Sequence, residues 1–349
     1  MNRVSIVILN WNGKHYLEQF LPSLVLNSQL PGVEIVVADN NSSDDSLEFL
    51  ARVHPQIKVI RLDENYGFSG GYNRALKQLS STYFLLLNSD IEVTPGWLEP
   101  LIDVMESNDR VAACTPKLKD FKNRSHFEYA GAAGGHIDWL GYPFCRGRIF
   151  DHLEEDLGQY DDPVEIFWGS GACLLVRSSL YAQSGGLDEQ FFAHMEEIDL
   201  CWRFQRMGYQ IQYVPQSTVY HVGGGTLARG NPRKTFLNFR NNLLLLYKNL
   251  PVHQRERTIV LKMILDSISA LRFLIQGDTK DFVAVIRAHI AYYGMKQAYK
   301  GTKDPNILQD KHVIVPGIYP HSIVVEFFLK GKRRFNQLDQ DFRLKNKEQ

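Results

Sequence analysis

Four short apolar runs alternate with helical stripes over the first hundred residues, and this alternation limits the fold more than any other feature of the chain. Residues 4–9, 34–38, 58–62 and 83–87 read as strands. Between them, residues 14–26 place Leu17, Phe20, Leu21 and Leu24 on one helical stripe, 43–53 read as a helix with a Ser cap, and 69–79 as a third helix. Thr94-Pro95 is expected to cap and start a fourth, because Pro suits the first helical position. Such β-α-β-α succession predicts a parallel sheet with right-handed crossovers and helices on its faces.

After Val111 the pattern loosens. Residues 119–164, rich in Gly, aromatics and charge, read as an irregular, substrate-facing stretch. Strand patterns return at 167–176 and 211–214, and from Arg233 the chain reads as mostly helical. Residues 258–276 are apolar on a broad face broken by Lys262, Asp266 and Arg272. The expected division is 1–230 for the α/β domain and 231–349 for a helical C-terminal extension.

Composition excludes several function classes. Lys plus Arg equals Asp plus Glu, 39 each, so nothing global suggests a nucleic-acid partner. Cys114, Cys145, Cys173 and Cys201 are widely spread with no Cys-x-x-Cys spacing, which argues against a zinc site or disulfide framework and for a reducing compartment. A strand-like run begins by Val4, leaving no room for a signal peptide, and no uncharged apolar stretch approaches the ~18 residues of a membrane span.

Polar groups then fall where strands end, and open α/β sheets bind ligands beyond the carboxyl ends of their strands. Asp39 closes the second strand in Ala38-Asp39-Asn40-Asn41-Ser42-Ser43; its carboxylate could accept from the imide N–H of a pyrimidine base, or the segment could simply be a turn and helix cap. Residues Asn65 to Asn73, with Gly67, Gly70 and Gly71, suit either close backbone approach to a ligand or a tight strand-to-helix turn. Asn88-Ser89-Asp90 follows the fourth strand, and Asp90 could hold a divalent cation or cap a helix. Glu196-Glu197-Ile198-Asp199 opens a helix; Asp199 stands four residues before Arg203, the spacing of a helix ion pair, which leaves Glu197 the freer base. His221 ends a strand and opens onto Gly223-Gly224-Gly225.

Together these segments resemble the inverting family-2 glycosyltransferases of GT-A fold, and within them the bacterial rhamnosyltransferase-type enzymes of cell-surface polysaccharide assembly. The resemblance spans about residues 3 to 225. It rests on residues 7–13, 39–44, 65–73 and 87–90, and on Gly169-Ser170-Gly171-Ala172, Gly186-Leu187-Asp188-Glu189 and 196–200. It implies a Rossmann-like, mostly parallel sheet covered by helices. It also implies that Asn10 and Asp39, with Asn41, line base and ribose, and that Asn65, Gly70 and Asn73 lie beside the nucleotide. Asn88, Ser89 and Asp90 would meet the donor diphosphate. Asp90 matches the last position of the family's Asp-x-Asp motif, with Asn88 in place of its first Asp. By the same resemblance Asp90 and a late histidine, His221, hold Mg²⁺ or Mn²⁺. Glu197 matches the general base, with Glu196 and Asp199 as neighbouring carboxylates among which the role is open.

The implied reaction moves a sugar from a nucleoside-diphosphate donor, dTDP-rhamnose or a UDP-sugar, to a lipid-linked or glycan hydroxyl. The implied location is the cytoplasm or the inner face of its membrane. Apolar residues 323–329 followed by Lys330, Lys332, Arg333 and Arg334 could touch anionic lipid, as could Leu243 to Leu246 if their helix lies at an edge. A sugar nucleotidyltransferase is the rival reading, but Asn10-Trp11-Asn12-Gly13-Lys14 is a poor phosphate loop for one. A non-catalytic sugar-nucleotide or glycan-binding protein is the other.

Overall fold

The computed structural model describes residues 2–223, 231–299, 315 and 317–343; Gly224 and Gly225 lie outside the described residues. In chain order the first half runs β1 (Asn2–Asn10), α1 (Lys14–Asn27), β2 (Val33–Asp39), α2 (Ser46–Val53), β3 (Lys58–Arg61), α3 (Gly67–Leu76), β4 (Ser81–Leu87), β5 (Ile91–Val93), α4 (Glu99–Ser107) and β6 (Val111–Asp120). There follow β7 (Gly135–Asp138), β8 (Pro143–Cys145), β9 (Arg148–Ile149), β10 (His152–Leu153), β11 (Val164–Ile166), β12 (Cys173–Arg177), α5 (Ser178–Gln183), α6 (Glu196–Arg206) and β13 (Gln210–His221). The C-terminal region holds α7 (Pro232–Asn249), α8 (Val252–Ile275), α9 (Thr279–Met295), β14 (Ile318–Tyr319) and α10 (Ile323–Phe328).

The main sheet has the order β11-β13-β6-β12-β4-β1-β2-β3, with β5 added on β13. Its N-terminal half is parallel, as the β-α-β-α pattern requires. Farther along, β6 and β13 are again parallel, while β12 runs antiparallel between β4 and β6. Strand β1 is buried on both faces, which is why Val4 to Leu9 read as an apolar run broken only by Ser5. Val7 packs toward Tyr72, Ala75 and Leu76 of α3. Ile6 and Ile8 pack toward Leu17, Leu21 and Leu24 of α1 and Leu101, Ile102 and Met105 of α4. The register pairs Asn10 with Asp39, so the two strands deliver their terminal polar residues side by side.

Three expectations from sequence are corrected. Thr94-Pro95 starts no helix: the Thr94 hydroxyl donates to the Thr218 carbonyl of β13 at 2.8 Å, and α4 begins at Glu99 with Pro100 in its first turn. Residues 119–164 are only in part irregular. Within them β7 to β10 join β14 in a second sheet, β10-β9-β8-β7-β14, whose Phe144 packs against Tyr319, Phe335 and His136. Leu243 to Leu246 are not at an edge: all four are fully buried in the core that also holds Leu174 and Val176 of β12. The extension therefore shares the core of the α/β half, and β14 completes the second sheet by pairing with β7.

Candidate active site

Three groups of side chains meet at the carboxyl ends of β1, β2 and β4. The first is a polar shelf. Asn10 and Asp39 are both buried, and the Asn10 amide donates to Asp39 Oδ1 at 3.1 Å. The Ser42 N–H donates to Asp39 Oδ2 at 3.0 Å, closing the turn, while Asn41 in its left-handed conformation stands exposed at the tip. Asn10 Oδ1 is buried without a partner. It faces Gly13, where an added Cβ would lie 2.6 Å from that oxygen and 3.6 Å from Ser89 Oγ. An unsatisfied buried acceptor costs about 1–3 kcal/mol unless a ligand or water meets it. The shelf thus holds one buried acceptor, Asn10 Oδ1, that no donor among the described residues meets.

Asn65 serves this shelf indirectly. Its Oδ1 accepts from the Asn40 amide at 3.0 Å and from the Gly67 N–H at 2.9 Å, tying the β2 end to the α3 start. Gly67 needs to be glycine twice over: its φ is +68°, and a Cβ there would meet the Phe192 ring at 2.6 Å. Gly71 rather than Gly70 approaches the strand ends, since a Cβ at Gly71 would strike Leu9 and one at Gly70 would strike Tyr66. Asn73 is turned away. Its amide donates to the Leu187 carbonyl at 2.7 Å and its oxygen accepts from the Tyr181 hydroxyl at 2.7 Å. It lines a separate cleft of about 920 Å³ that also holds Ser81, at the opposite end of β4.

The second group surrounds Asp90. His221 Nε2 lies 3.2 Å from Asp90 Oδ1 and 3.5 Å from the Asn88 amide, and His221 Nδ1 lies 3.3 Å from Glu128 Oε1. Burial alone would lower the His221 pKa; the Glu128 and Asp90 carboxylates outweigh it and raise it to about 10. Burial likewise opposes the Asp90 charge, yet His221 and the N–H of Gly223 hold its pKa below the usual carboxylate value. Pairing of β5 with β13, His221 opposite Ile91, makes this convergence.

The third group is the start of α6. Glu197 is half-buried, and burial raises its pKa to about 7 against the backbone N–H groups of Glu197, Ile198 and Met195, which favour its charge. Glu196 is buried deeper and is pushed well above the carboxylate range by burial and by Glu197. Asp199 is fully buried and fully engaged: Arg203 Nε, Lys248 Nζ and Asn249 Nδ2 each donate to it at 2.8 Å. Burial opposes its charge, but Lys248 and Arg203 bring its pKa down to about 2.

Glu197 connects to the Asp90 group through β12's leading residues. The Asn88 N–H donates to the Ala172 carbonyl at 2.9 Å, and a Cβ on the neighbouring Gly171 would lie 3.6 Å from Glu197 Cβ and 3.3 Å from the Phe68 ring. Ahead of Glu196, Phe192, His194 and Met195 all have positive φ, a strained conformation for non-glycine residues. Asn241 of α7 holds that loop, its amide donating to the carbonyls of Phe191, Ala193 and His194 at 2.7–3.0 Å. Sequence reasoning passed over Asn241 and Glu128. The polar run Arg240-Asn241-Asn242 inside an otherwise leucine-rich helix was the available signal for the first; Glu128 offers none locally.

A doubly covered sheet with a polar shelf, an acidic strand end and a half-buried carboxylate converging at its carboxyl edge defines a GT-A-fold glycosyltransferase. The family model for glycosyl transferase family 2 matches residues 5–182, and the chain belongs to that family. It is 30% identical over 234 residues, 62% of this chain and 75% of the relative, to N-acetylglucosaminyl-diphospho-decaprenol L-rhamnosyltransferase of Mycobacterium tuberculosis. It is 26% identical to the low-salt glycan biosynthesis hexosyltransferase Agl10 of Haloferax volcanii, over 70% of this chain and 75% of the relative. Among solved structures, the fold is similar to GalNAc-T7 with UDP, GalNAc and Mn²⁺, with TM-score 0.54 and 16% identity over 71% of this chain and 48% of that one. It is also similar to the mannosyltransferase PcManGT of Pyrobaculum calidifontis with GDP-Man and Mn²⁺, with TM-score 0.51 and 14% identity over 84% of this chain and 88% of that one.

Proposed function

We propose that the protein transfers a single sugar, with inversion, from a nucleoside diphosphate to a hydroxyl of a lipid-linked saccharide or growing surface glycan. The observation that carries this is Glu197: a carboxylate with pKa near 7, half-buried, joined through Gly171 and Ala172 to the Asn88–Asp90 strand end. A general base works best when its pKa lies near the working pH, and such a base contributes about 10²–10⁴ in rate. A sugar hydroxyl entering beside Glu197 loses its proton to the carboxylate as its oxygen bonds to the anomeric carbon. The bond to the diphosphate breaks on the opposite face, so one displacement inverts the centre. Asn10 and Asp39 receive the nucleoside, and Ser89 beside Gly13 leads from that shelf toward Asp90. On this reading Asp199 holds α6 against α7, and Asn73 orients the loop at Leu187.

Asp90 and His221 suit a divalent cation only when it displaces the Nε2 proton that the neighbouring carboxylates hold on His221, with the remaining ligands drawn from diphosphate and water and with Nδ1 facing Glu128. Bound by Asp90 and His221, Mg²⁺ or Mn²⁺ would supply Lewis-acid stabilisation of the leaving diphosphate. The relatives favour a lipid-borne acceptor and leave dTDP-rhamnose and UDP-sugars both open as donors. We assign residues 1–230 to the catalytic unit and 231–349 to an extension that braces it through α7.

Incubation with a panel of nucleotide sugars and a polyprenyl-diphosphate acceptor, followed by product analysis, tests the reading. Free nucleoside diphosphate and a product of inverted anomeric configuration are expected. Pyrophosphate release would support a nucleotidyltransferase instead, and retained configuration would remove the single-displacement mechanism.

A further inference from the structure

Helices α8 and α9 are apolar on two faces, and among the described residues only one is packed. Inwardly, α8 buries Ile259 and Ala270 and α9 buries Ala284, Ala288 and Tyr292. Outwardly, Val260, Ile264, Ile268, Leu271 and Ile275 form a stripe at helical spacing, each 53–86% exposed. The stripe is about 22 Å long at the helical rise per residue. Helix α9 carries a second one, Val283, Ile286, Ile290 and Tyr293, each 43–67% exposed. The two adjoin, because the Tyr293 hydroxyl meets Met263 Sδ at 3.6 Å, between Val260 and Ile264. At the other end Arg272 lies 5.6 Å from the Phe328 ring, so the surface runs on to exposed Phe328 and Leu329 of the α10 end.

Charge decides what this surface fits. Between Thr258 and Ile275, and between Phe282 and Met295, the exposed ionic side chains are Arg272 and Arg287, with no exposed carboxylate. The one acidic residue in those spans, Asp266, is buried against Lys262. Exposed Lys330, Arg333 and Arg334 follow Leu329. A second copy of the chain docked by two-fold symmetry would oppose this mostly cationic patch to itself, and the exposed carboxylates nearest the stripe, Glu256 one turn before Val260 and Asp278 just after Ile275, stand at its two ends beside Arg257 and Lys280. An anionic bilayer answers both properties, accepting the apolar stripe among acyl chains and the arginines among headgroups. Among the described residues no helix is long and apolar enough to cross a membrane, so the contact is with its surface.

We propose that the outer face of α8 and α9, continued by Phe328 and Leu329, docks on an anionic lipid surface and holds the catalytic domain where a lipid-borne acceptor is embedded. The purpose of the docking rests on the proposed lipid-linked acceptor; the surface itself does not. The surface takes in the end of the segment expected from sequence, Phe328 and Leu329 with the basic residues after them, although Lys330 and Lys332 pair with Glu326; Leu243 to Leu246 are buried and take no part.

The test is co-sedimentation of the full chain with phosphatidylcholine vesicles, with and without phosphatidylglycerol, at low and high salt. Wild type should pellet with the anionic vesicles and less so in salt. Ile268→Asp combined with Ile290→Asp should lose this binding by about tenfold or more, and Arg272→Glu with Arg287→Glu should lose the anionic preference. Both variants should keep their helical circular dichroism and transfer sugar to a short, water-soluble acceptor at the wild-type rate. Wild type that stays in the supernatant, or the aspartate variant pelleting as well as wild type, would overturn the surface. So would gel filtration showing a wild-type dimer that the aspartates dissolve. Vesicle binding by a protein that transfers no sugar to any acceptor would sink the functional reading and leave the surface standing.

Discussion

Glu197 and Asp199 stand two residues apart on one helix, and their surroundings drive their pKa values in opposite directions, to about 7 and about 2. Both are taken from bulk water, which alone would raise both. Asp199 meets Lys248, Arg203 and Asn249, and Glu197 meets only backbone N–H groups at the helix start. The difference separates a carboxylate fixed for structure from one free to exchange a proton.

Their neutral isosteres should therefore fail differently. Glu197→Gln keeps the shape and removes the base, so kcat falls by about 10²–10⁴, while stability at neutral pH and above holds or rises because no buried charge remains there. Asp199→Asn leaves Lys248 and Arg203 buried against a neutral amide, and breaking such a cluster costs about 3–5 kcal/mol. Urea unfolding of both variants beside steady-state kinetics reads the contrast. Near-normal turnover in Glu197→Gln would move the base elsewhere, with Glu196 next to be tried.

The pH dependence follows with definite sign. The folded-state pKa of Glu197 is raised above the ~4.3 of a free glutamate, so the folded protein holds that proton through a window where the unfolded chain has lost it. Its contribution to stability falls as pH rises from about 4.3 through about 7, and it is fully restored below that window. Activity runs the other way, because the ionised form is the base: kcat/KM should rise with pH along a limb centred near 7. Asp199 acts oppositely, its stabilisation present above about 4 and lost as pH falls through about 2. A rate profile flat between pH 5.5 and 8.5, roughly the range over which a base of that pKa changes charge, would remove Glu197 from the proton transfer.

Positions that depend on local geometry were readable in the sequence. The ends of β2 and β4 follow from period and turn chemistry, which puts Asp39 at one strand end and Asp90 just past the other, while Asn10 came from the family resemblance. So could the Asp199–Arg203 pair, from helical spacing. What escaped depends on partners far along the chain. Asn73 follows a glycine-rich run that reads as ligand-facing in sequence, but it lies in α3 and its partners Tyr181 and Leu187 arrive more than a hundred residues later. Lys248 reaches Asp199 only because α7 packs on α6, and the second sheet was hidden because its strands are two to four residues long. Strands so short carry too few alternations to show a period.

Asn241 should behave as a positioning residue. Three carbonyls of a loop with three left-handed residues depend on its amide, and that loop sets where Glu197 begins its helix. Asn241→Ala removes donors worth about 1 kcal/mol each. The loop then relaxes, kcat drops, and donor KM stays near wild type. The same relaxation should displace the Glu197 limb of the pH profile, which simple destabilisation would not do. An unaltered limb with kcat lowered only in proportion to unfolded protein would make Asn241 structural alone.

Glu128 offers the sharpest test of the Asp90 cluster. Its Oε2 accepts from the Ala130 N–H at 2.6 Å, fixing the carboxylate, and its Oε1 faces His221 Nδ1 at 3.3 Å. If His221 presents Nε2 to a cation, Glu128 selects the tautomer with the proton on Nδ1, and loss of such a partner typically weakens metal affinity about 10–100-fold. Mn²⁺ titration in the presence of nucleoside diphosphate, followed by electron paramagnetic resonance, should show that loss in Glu128→Gln and a larger one in Asp90→Asn. The glutamine keeps the packing beside Gly223, so a collapse of the fold would not be the reason. Undiminished Mn²⁺ binding in both variants, together with turnover unaffected by a chelator, would leave the cluster an ion-pair lock between β5 and β13 and take the cation out of the reaction.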